Sequence, residues 1–105
     1  LLAFEGLVRE EESGHRITGL TYELYEGMAQ SQLETLARST INTYGLALLH
    51  VEHSRGFVPV GACSFRLIIA SPHRKEALAA MDLFIDDMKK HVPIWKRADA
   101  PSRSL

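Results

Sequence analysis

Apolar residues alternate with polar ones in four segments of the chain, which predicts β-strands with one buried face. The predicted strands cover residues 2–9, 17–25, 46–53 and 62–70. The last is the clearest, because every second residue is apolar or small: Cys63, Phe65, Leu67 and Ile69. Between the first two strands lies the acidic, Gly-containing stretch 10–14, so we expect the second strand to return beside the first as a hairpin.

Two other segments have apolar residues at helical spacing. The first predicted helix begins at Met28 and ends before Gly45, which suits a left-handed C-terminal cap. The second opens with Ser71 as the N-cap and Pro72 at the first helical position. It ends near residue 91, because Pro93 cannot continue a helix.

The remaining segments are predicted to be irregular. Residues 54–61 contain one proline and two glycines and predict a loop, and the tail after Trp95 is polar. The order of elements is therefore β-β-α-β-β-α. This order predicts an α+β fold, in which two helices pack on a mostly antiparallel sheet and a single domain covers residues 1–105. Because the chain begins at Leu1 inside an apolar stretch, we expect the N-terminus to be trimmed.

Composition excludes several classes of function. Twelve Lys and Arg face thirteen Asp and Glu, so no overall charge draws the chain to nucleic acid or to an anionic membrane. Cys63 is the single cysteine, which leaves no disulfide framework and no zinc motif, and we propose no metal. No segment has the roughly 20 apolar residues that span a bilayer. A reducing, cytoplasmic location is expected.

Cations begin the second predicted helix, with His73 and Arg74 followed by Lys75. The positive end of the helix dipole disfavours cations by about 0.3–1 kcal/mol each, so stability alone would favour acidic residues here. A bound phosphate or carboxylate explains the cluster, because helix N-termini bind anions. Side chains that point into water explain it equally well.

A second basic cluster extends from Lys89 to Arg97. Lys89 and Lys90 suit the negative end of the helix dipole, so their position alone favours a structural role. Lys96 follows Pro93 and Trp95, and we expect the tryptophan to anchor the segment on the core. An anchored lysine could act as a nucleophile or proton carrier.

Three further candidates are weaker on their own. Arg9 ends a strand beside a turn, where either a ligand-binding or a solvated arginine is common. His50 and His53 are interpreted as structural histidines, and Cys63 as a small core residue.

Four motifs together resemble the catalytic (large) subunit family of molybdopterin synthase. They are Gly6-Leu7-Val8-Arg9, Leu20-Thr21-Tyr22-Glu23-Leu24-Tyr25, Ser71-Pro72-His73-Arg74 and Pro93-Ile94-Trp95-Lys96-Arg97. The His-Arg pair that opens a helix and the Pro-x-Trp-Lys ending are the specific parts, and the resemblance covers nearly the whole chain.

The resemblance implies an α/β-hammerhead-like fold and a sulfurtransferase without a cofactor. In that family a homodimer forms the centre of a heterotetramer, and a small ubiquitin-like subunit delivers sulfur on its thiocarboxylated C-terminal Gly-Gly. The substrate is cyclic pyranopterin monophosphate, which becomes the dithiolene of molybdopterin. By motif, Lys89 and Lys96 are the catalytic residues, and Lys89 is preferred to Lys90 because the family spaces its lysines seven positions apart. The implied substrate-binding residues are Arg9, His73, Arg74 and Arg97.

Two other classes of function are compatible with the residues alone. In the first, a non-catalytic binding module, the same cations recognise a phosphorylated ligand or an acidic peptide tail without turnover. In the second, a structural dimerisation domain, they are scattered surface residues. The chain also differs from the family pattern at Ala98, where an acidic residue usually follows Lys-Arg, and at Ser54, where a basic residue is common.

Overall fold

A computed structural model of the protein describes residues 1–24 and 27–99. Its elements are β1 (Leu2–Leu7), β2 (Glu11–Glu12), β3 (His15–Arg16), β4 (Gly19–Leu24), α1 (Met28–Tyr44), β5 (Leu48–His53), β6 (Gly56–Pro59), β7 (Cys63–Ala70), α2 (Arg74–His91) and β8 (Ile94–Asp99). The strands form two three-stranded sheets and one short hairpin, and every described strand pair is antiparallel. The predicted α+β class is confirmed.

The first sheet has the order β1-β7-β5 and carries both helices on one face. The predicted alternation along β7 is confirmed at Phe65, Leu67 and Ile69, which all belong to the main core. Opposite them, Ala80 and Phe84 of α2 are fully buried. Burial of such side chains contributes about 1.5–3 kcal/mol each for the larger ones, so this layer holds α2 in place.

The second sheet has the order β6-β4-β8 and a smaller core. Its buried residues are Val8, Ile17, Leu20 and Val58. Gly19 is required where β4 meets β6, because a Cβ there would lie 2.5 Å from the Val58 carbonyl oxygen and 2.6 Å from the Phe57 ring. The two backbones therefore approach closely at the start of β4.

The predicted hairpin between the first two strands is wrong. Strand β1 pairs with β7, with Leu2 opposite Ile69, and β4 pairs with β6 and β8. The acidic stretch instead forms the short hairpin of β2 and β3, which separates β1 from β4. Local spacing identified the strands but could not identify partners that lie about 40 to 80 residues away in sequence.

Two segments predicted to be irregular contain strands. Strand β6 lies within the predicted loop 54–61, where Gly56 and Gly61 adopt positive φ at its ends and do not interrupt it. Strand β8 extends into the predicted tail and pairs with β4 throughout, although four of its six residues are exposed. Trp95 is 56% exposed, so the prediction that it anchors this segment on the core is also wrong. Pairing of the backbone with β4 holds β8 instead.

The helix predictions are largely confirmed. Helix α1 has the predicted bounds, and Gly45 caps it in the left-handed conformation with φ 63°. Helix α2 ends at His91, before Pro93. Its start was predicted too early, because His73 is the N-cap and Ser71 Oγ accepts a hydrogen bond from the His73 amide at 3.3 Å. Tyr25, predicted to end the second strand, and the tail from residue 100 onward lie outside the described residues.

Candidate functional site

A cavity of about 460 Å³ lies where the two sheets meet the C-terminal end of α2. Its wall combines apolar and polar side chains from five strands and one helix. The lining residues are Phe4, Gly6, Leu7, Tyr22, His53, Ser64, Phe65, Ile85, Met88, Lys89, Ile94 and Lys96. A largely apolar hollow with a few converging polar groups is the usual form of a small-molecule site.

Lys89 and Lys96 enter this cavity from different elements. Lys89 lies in the last turn of α2, and the chain then turns at Pro93 into β8, where Lys96 stands opposite Tyr22 of β4. Antiparallel residues that face each other point to the same side of a sheet, so β4 and β8 present Tyr22 and Lys96 together. Lys90 is directed elsewhere, since its Nζ lies 3.1 Å from Asp86 Oδ2 on the outer surface of α2.

The ammonium group of Lys96 has a carboxylate partner. Its Nζ lies 3.0 Å from Glu12 Oε1 on the short hairpin. Among the described residues, Lys89 makes no such pair, so the cavity presents one paired and one unpaired cation. Lys89 and Lys96 are both lining residues of this cavity.

Hydrogen bonds fix the polar part of the wall. Tyr22 Oη donates to Ser64 Oγ at 3.0 Å, and Ser64 Oγ donates to the Gly6 carbonyl oxygen at 3.4 Å. Ser64 is buried, so these bonds satisfy a hydroxyl that would otherwise be costly to remove from water. They connect β4 of one sheet to β1 and β7 of the other. The two sides of the cavity are therefore linked directly by hydrogen bonds.

His53 stands between these groups. Its Nδ1 lies 2.7 Å from the Ser54 carbonyl oxygen, and its ring makes an edge contact with Tyr22 at a centroid distance of 4.9 Å. A carbonyl oxygen only accepts, so Nδ1 carries the proton and Nε2 of the neutral ring is left as an acceptor. Burial lowers the pKa of His53 from its ordinary 6.5, and the Ser54 hydrogen bond opposes this in part. The imidazole is therefore neutral at pH 7.

The other predicted site residues lie outside this cavity. Arg97 points to the opposite face of β8, where its Nε lies 3.7 Å from Asp99 Oδ1. Arg74 opens α2 while Lys89 lies in its last turn, so roughly 22 Å of helix separates them. His73 is exposed beside Arg74, and Arg9 is exposed after β1. Within one chain, the structure brings together Lys89 and Lys96 but not the four predicted substrate-binding residues.

Sequence reasoning missed Glu12, Tyr22, His53 and Ser64 as site residues. Tyr22 belongs to the motif that begins at Leu20, but it was given no role there. His53 was interpreted as structural. Only the pairing of β4 with β8 and of β5 with β7 places these side chains in one cavity. Cys63, expected in the core, is half-buried, and its thiol donates to the Phe65 carbonyl oxygen at 3.2 Å.

Residues 1–24 and 27–99 present neither a metal-ligating cluster nor a membrane-spanning helix. These residues contain no group of three or more His, Cys, Asp or Glu side chains that could hold a metal ion. In the same ranges, neither helix is long and apolar enough to cross a lipid bilayer.

Comparison with known proteins gives consistent matches. The family model described as MoaE protein matches residues 1–91. A molybdopterin synthase catalytic subunit from Dictyostelium discoideum is 37% identical over 97 residues, which cover 90% of this chain and 61% of that protein. The chain thus spans less than two thirds of the length of this relative.

Two solved structures share the fold. The crystal structure of molybdopterin synthase from Staphylococcus aureus superimposes with a TM-score of 0.89 at 28% identity and covers 97% of this chain and 74% of that one. A complex of subunits 1 and 2 of molybdopterin-converting factor from Helicobacter pylori contains a chain with a TM-score of 0.78 and 33% identity. That match covers 92% of this chain and 63% of the other.

Proposed function

Because the chain belongs to the MoaE protein family, we propose that it is the catalytic subunit of a molybdopterin synthase. In this proposal it transfers sulfur from the thiocarboxylated C-terminus of a small ubiquitin-like subunit to cyclic pyranopterin monophosphate, forming the dithiolene of molybdopterin. The similarity to molybdopterin synthase proteins supports this reaction. The similarity to one chain of the two-subunit Helicobacter pylori complex supports the involvement of a second, small subunit. The reaction takes place in the cytoplasm.

The observation that carries the proposal is the convergence of Lys89 and Lys96 on one cavity. Both the phosphate of the substrate and the thiocarboxylate of the partner are anions, and each gains from a cation at the point of reaction. The apolar wall around Phe4 and Phe65 suits the flat pterin ring. A catalytic cysteine is unnecessary, because the partner brings the sulfur.

His53 gives this site a proton acceptor. Addition of sulfur to the pterin side chain requires protons to move, and a neutral imidazole accepts them near pH 7. The hydrogen bond from Nδ1 to Ser54 leaves Nε2 for this role. Lys89 and Lys96 then stabilise the negative charge that develops during transfer.

A second copy of the chain would complete the site. His73 and Arg74 lie about 22 Å from Lys89 along α2, too far to contact the same small substrate. If they bind its phosphate, they must reach the cavity from the other protomer of a homodimer. A two-fold dimer would create two such shared sites, with one small subunit at each, which gives a heterotetramer.

Turnover with the small subunit tests the proposal. The chain, a thiocarboxylated Gly-Gly carrier protein and cyclic pyranopterin monophosphate are mixed, and dithiolene product is measured after oxidation to a fluorescent pterin. We expect product only when all three are present. Lys89→Ala should lose product while still co-purifying with the carrier, because the lysine acts in the reaction. Absence of product from the unsubstituted chain would contradict the proposal, and so would equal product from Lys89→Ala.

A further inference from the structure

We propose that Glu12 is a positioning residue for Lys96, which it holds at the cavity by a direct ion pair. The inference rests on the proposed function, because it assigns Lys96 a role in the reaction. The observation is the 3.0 Å distance between Lys96 Nζ and Glu12 Oε1, which joins residues far apart in sequence. Only the folded chain brings the short hairpin of β2 and β3 to Lys96 on β8.

The surroundings of the pair favour a positioning role over an incidental surface contact. The Glu12 side chain is 22% exposed while that of Lys96 is 52% exposed, so the carboxylate is the more enclosed member of the pair. A lysine side chain has several rotatable bonds and orients poorly without a partner. The neighbouring residue on the same face of β8 is Ala98, which offers no acceptor.

The two cavity lysines differ in what restrains their side chains. Lys89 is unpaired among the described residues and lies in the last turn of α2. Lys96 lies on a strand whose outer residues are exposed, and Glu12 supplies the restraint that the strand does not. Restricting a reacting group to one orientation raises the rate of the chemical step.

The same carboxylate has a cost for substrate binding. A negative charge beside the cavity repels an anionic substrate and partly neutralises one of the two cations that would attract it. Glu12 should therefore weaken binding while it accelerates the step after binding. Removal of its charge should change KM and kcat in the same direction, which loss of a merely structural contact would not do.

The decisive variant is Glu12→Gln, which keeps the shape and removes the charge. Glu11→Gln is the matched control, because Glu11 is the adjacent residue on the hairpin, is exposed and points to the other side of its strand. Both are assayed in the complex with the thiocarboxylated carrier and cyclic pyranopterin monophosphate. We expect Glu12→Gln to lower kcat about ten-fold and to lower KM for the pterin about two-fold, with Glu11→Gln unchanged. Glu12→Asp should recover part of kcat, and the thermal midpoints of all variants should agree.

A second readout needs no turnover. Acetylation of lysines by a limiting acylating reagent is followed by mass spectrometry, with Lys89 as the internal reference. Glu12→Gln should raise the labelling rate of Lys96 about two- to five-fold, because an ion pair shields the amine, and Glu11→Gln should not.

The outcomes separate this inference from the proposed function. A fall in kcat and KM with faster labelling of Lys96 supports it. Equal kcat in Glu12→Gln and Glu11→Gln overturns it, as does unchanged labelling of Lys96. If the unsubstituted chain makes no product, the proposed function fails, and labelling alone decides whether Glu12 holds Lys96.

Discussion

The two ends of α2 carry similar cations in different surroundings. At the N-terminal end His73 and Arg74 are exposed, and neither lines the cavity. At the C-terminal end Lys89 borders a hollow whose far wall comes from both sheets. Lys89 is itself exposed, so the difference is that only the C-terminal end lines a cavity formed with other parts of the same chain. A basic residue can contribute to a small-molecule site only where other surfaces of the fold face it.

The helix dipole acts in opposite directions on cations at the two ends of α2. Lys89 at the C-terminal end is stabilised by the dipole, whereas Arg74 at the N-terminal end is not. The N-terminal cations thus have an unfavourable position that an anion would relieve. We interpret this end as half of a site, completed by the cavity of a second copy.

The largest expected effect is at the cavity, for the substitution of Lys96. Lys96→Ala should lower turnover by at least about 100-fold, because it removes a cation aimed at developing negative charge. Lys90→Ala is the matched control, since Lys90 pairs with Asp86 on the outside of α2. Dithiolene formation is measured for both at saturating substrate. Similar losses in the two variants would indicate a general effect of charge and would remove the distinction between the cavity and the outer surface.

The next largest effect tests whether the exposed end works in the partner. Arg74→Ala should lower kcat/KM about ten-fold or more through loss of phosphate binding. An equal mixture of Arg74→Ala and Lys96→Ala chains, unfolded and refolded together, should regain about a quarter of the unsubstituted activity, because half of the dimers then contain one intact site. No recovery in the mixture would mean that Arg74 and Lys96 act within the same chain.

A smaller effect is expected on the pH dependence of stability, where His53 and His73 are compared. His53 is neutral because burial lowers its pKa below 6.5, so its contribution to stability is present above that pH and is lost as pH falls through the lowered value. His53→Gln should therefore flatten the fall in the free energy of unfolding below about pH 6.5. His73→Gln, at the exposed end, is the control for replacing a histidine by glutamine. The free energy of unfolding of both variants is measured by urea unfolding between pH 7.5 and pH 5. If it falls with pH equally in His53→Gln and in the unsubstituted chain, the lowered pKa of His53 is contradicted.

The smallest effect is expected on the back of β8. Arg97 faces Asp99 and not the cavity, so Arg97→Ala should change kcat/KM by less than about three-fold. The resemblance predicted Arg97 as a substrate-binding residue. A loss as large as that of Arg74→Ala would restore that prediction and would require Arg97 to act in the other protomer.

The sequence predicted the parts of the fold that depend on local pattern. Gly45 and Pro93 define helix ends through their own backbone preferences, and the alternation in β7 reflects burial of one face. Strand β8 was missed because its apolar residues Ile94, Trp95 and Ala98 do not alternate with polar ones, and because its partner β4 is distant in sequence. Such pairing depends on distant sequence, which periodicity does not report.

The candidate site was predictable only in part. Lys89 and Lys96 followed from a motif, and the cavity contains both. Glu12 and His53 carried no signal, because a carboxylate in an acidic turn and a histidine at a strand end are ordinary residues. Their importance arises from the 3.0 Å pair with Lys96 and the fixed ring beside Tyr22, both products of the three-dimensional arrangement.

The most direct test of the account is a crystal structure of the chain with cyclic pyranopterin monophosphate bound. We predict the pterin in the cavity between the two sheets, with Lys89 and Lys96 in contact with it and His73 and Arg74 of a second copy at its phosphate. A pterin bound at the N-terminal end of α2 alone, with the cavity between the two sheets empty, would contradict the central claim.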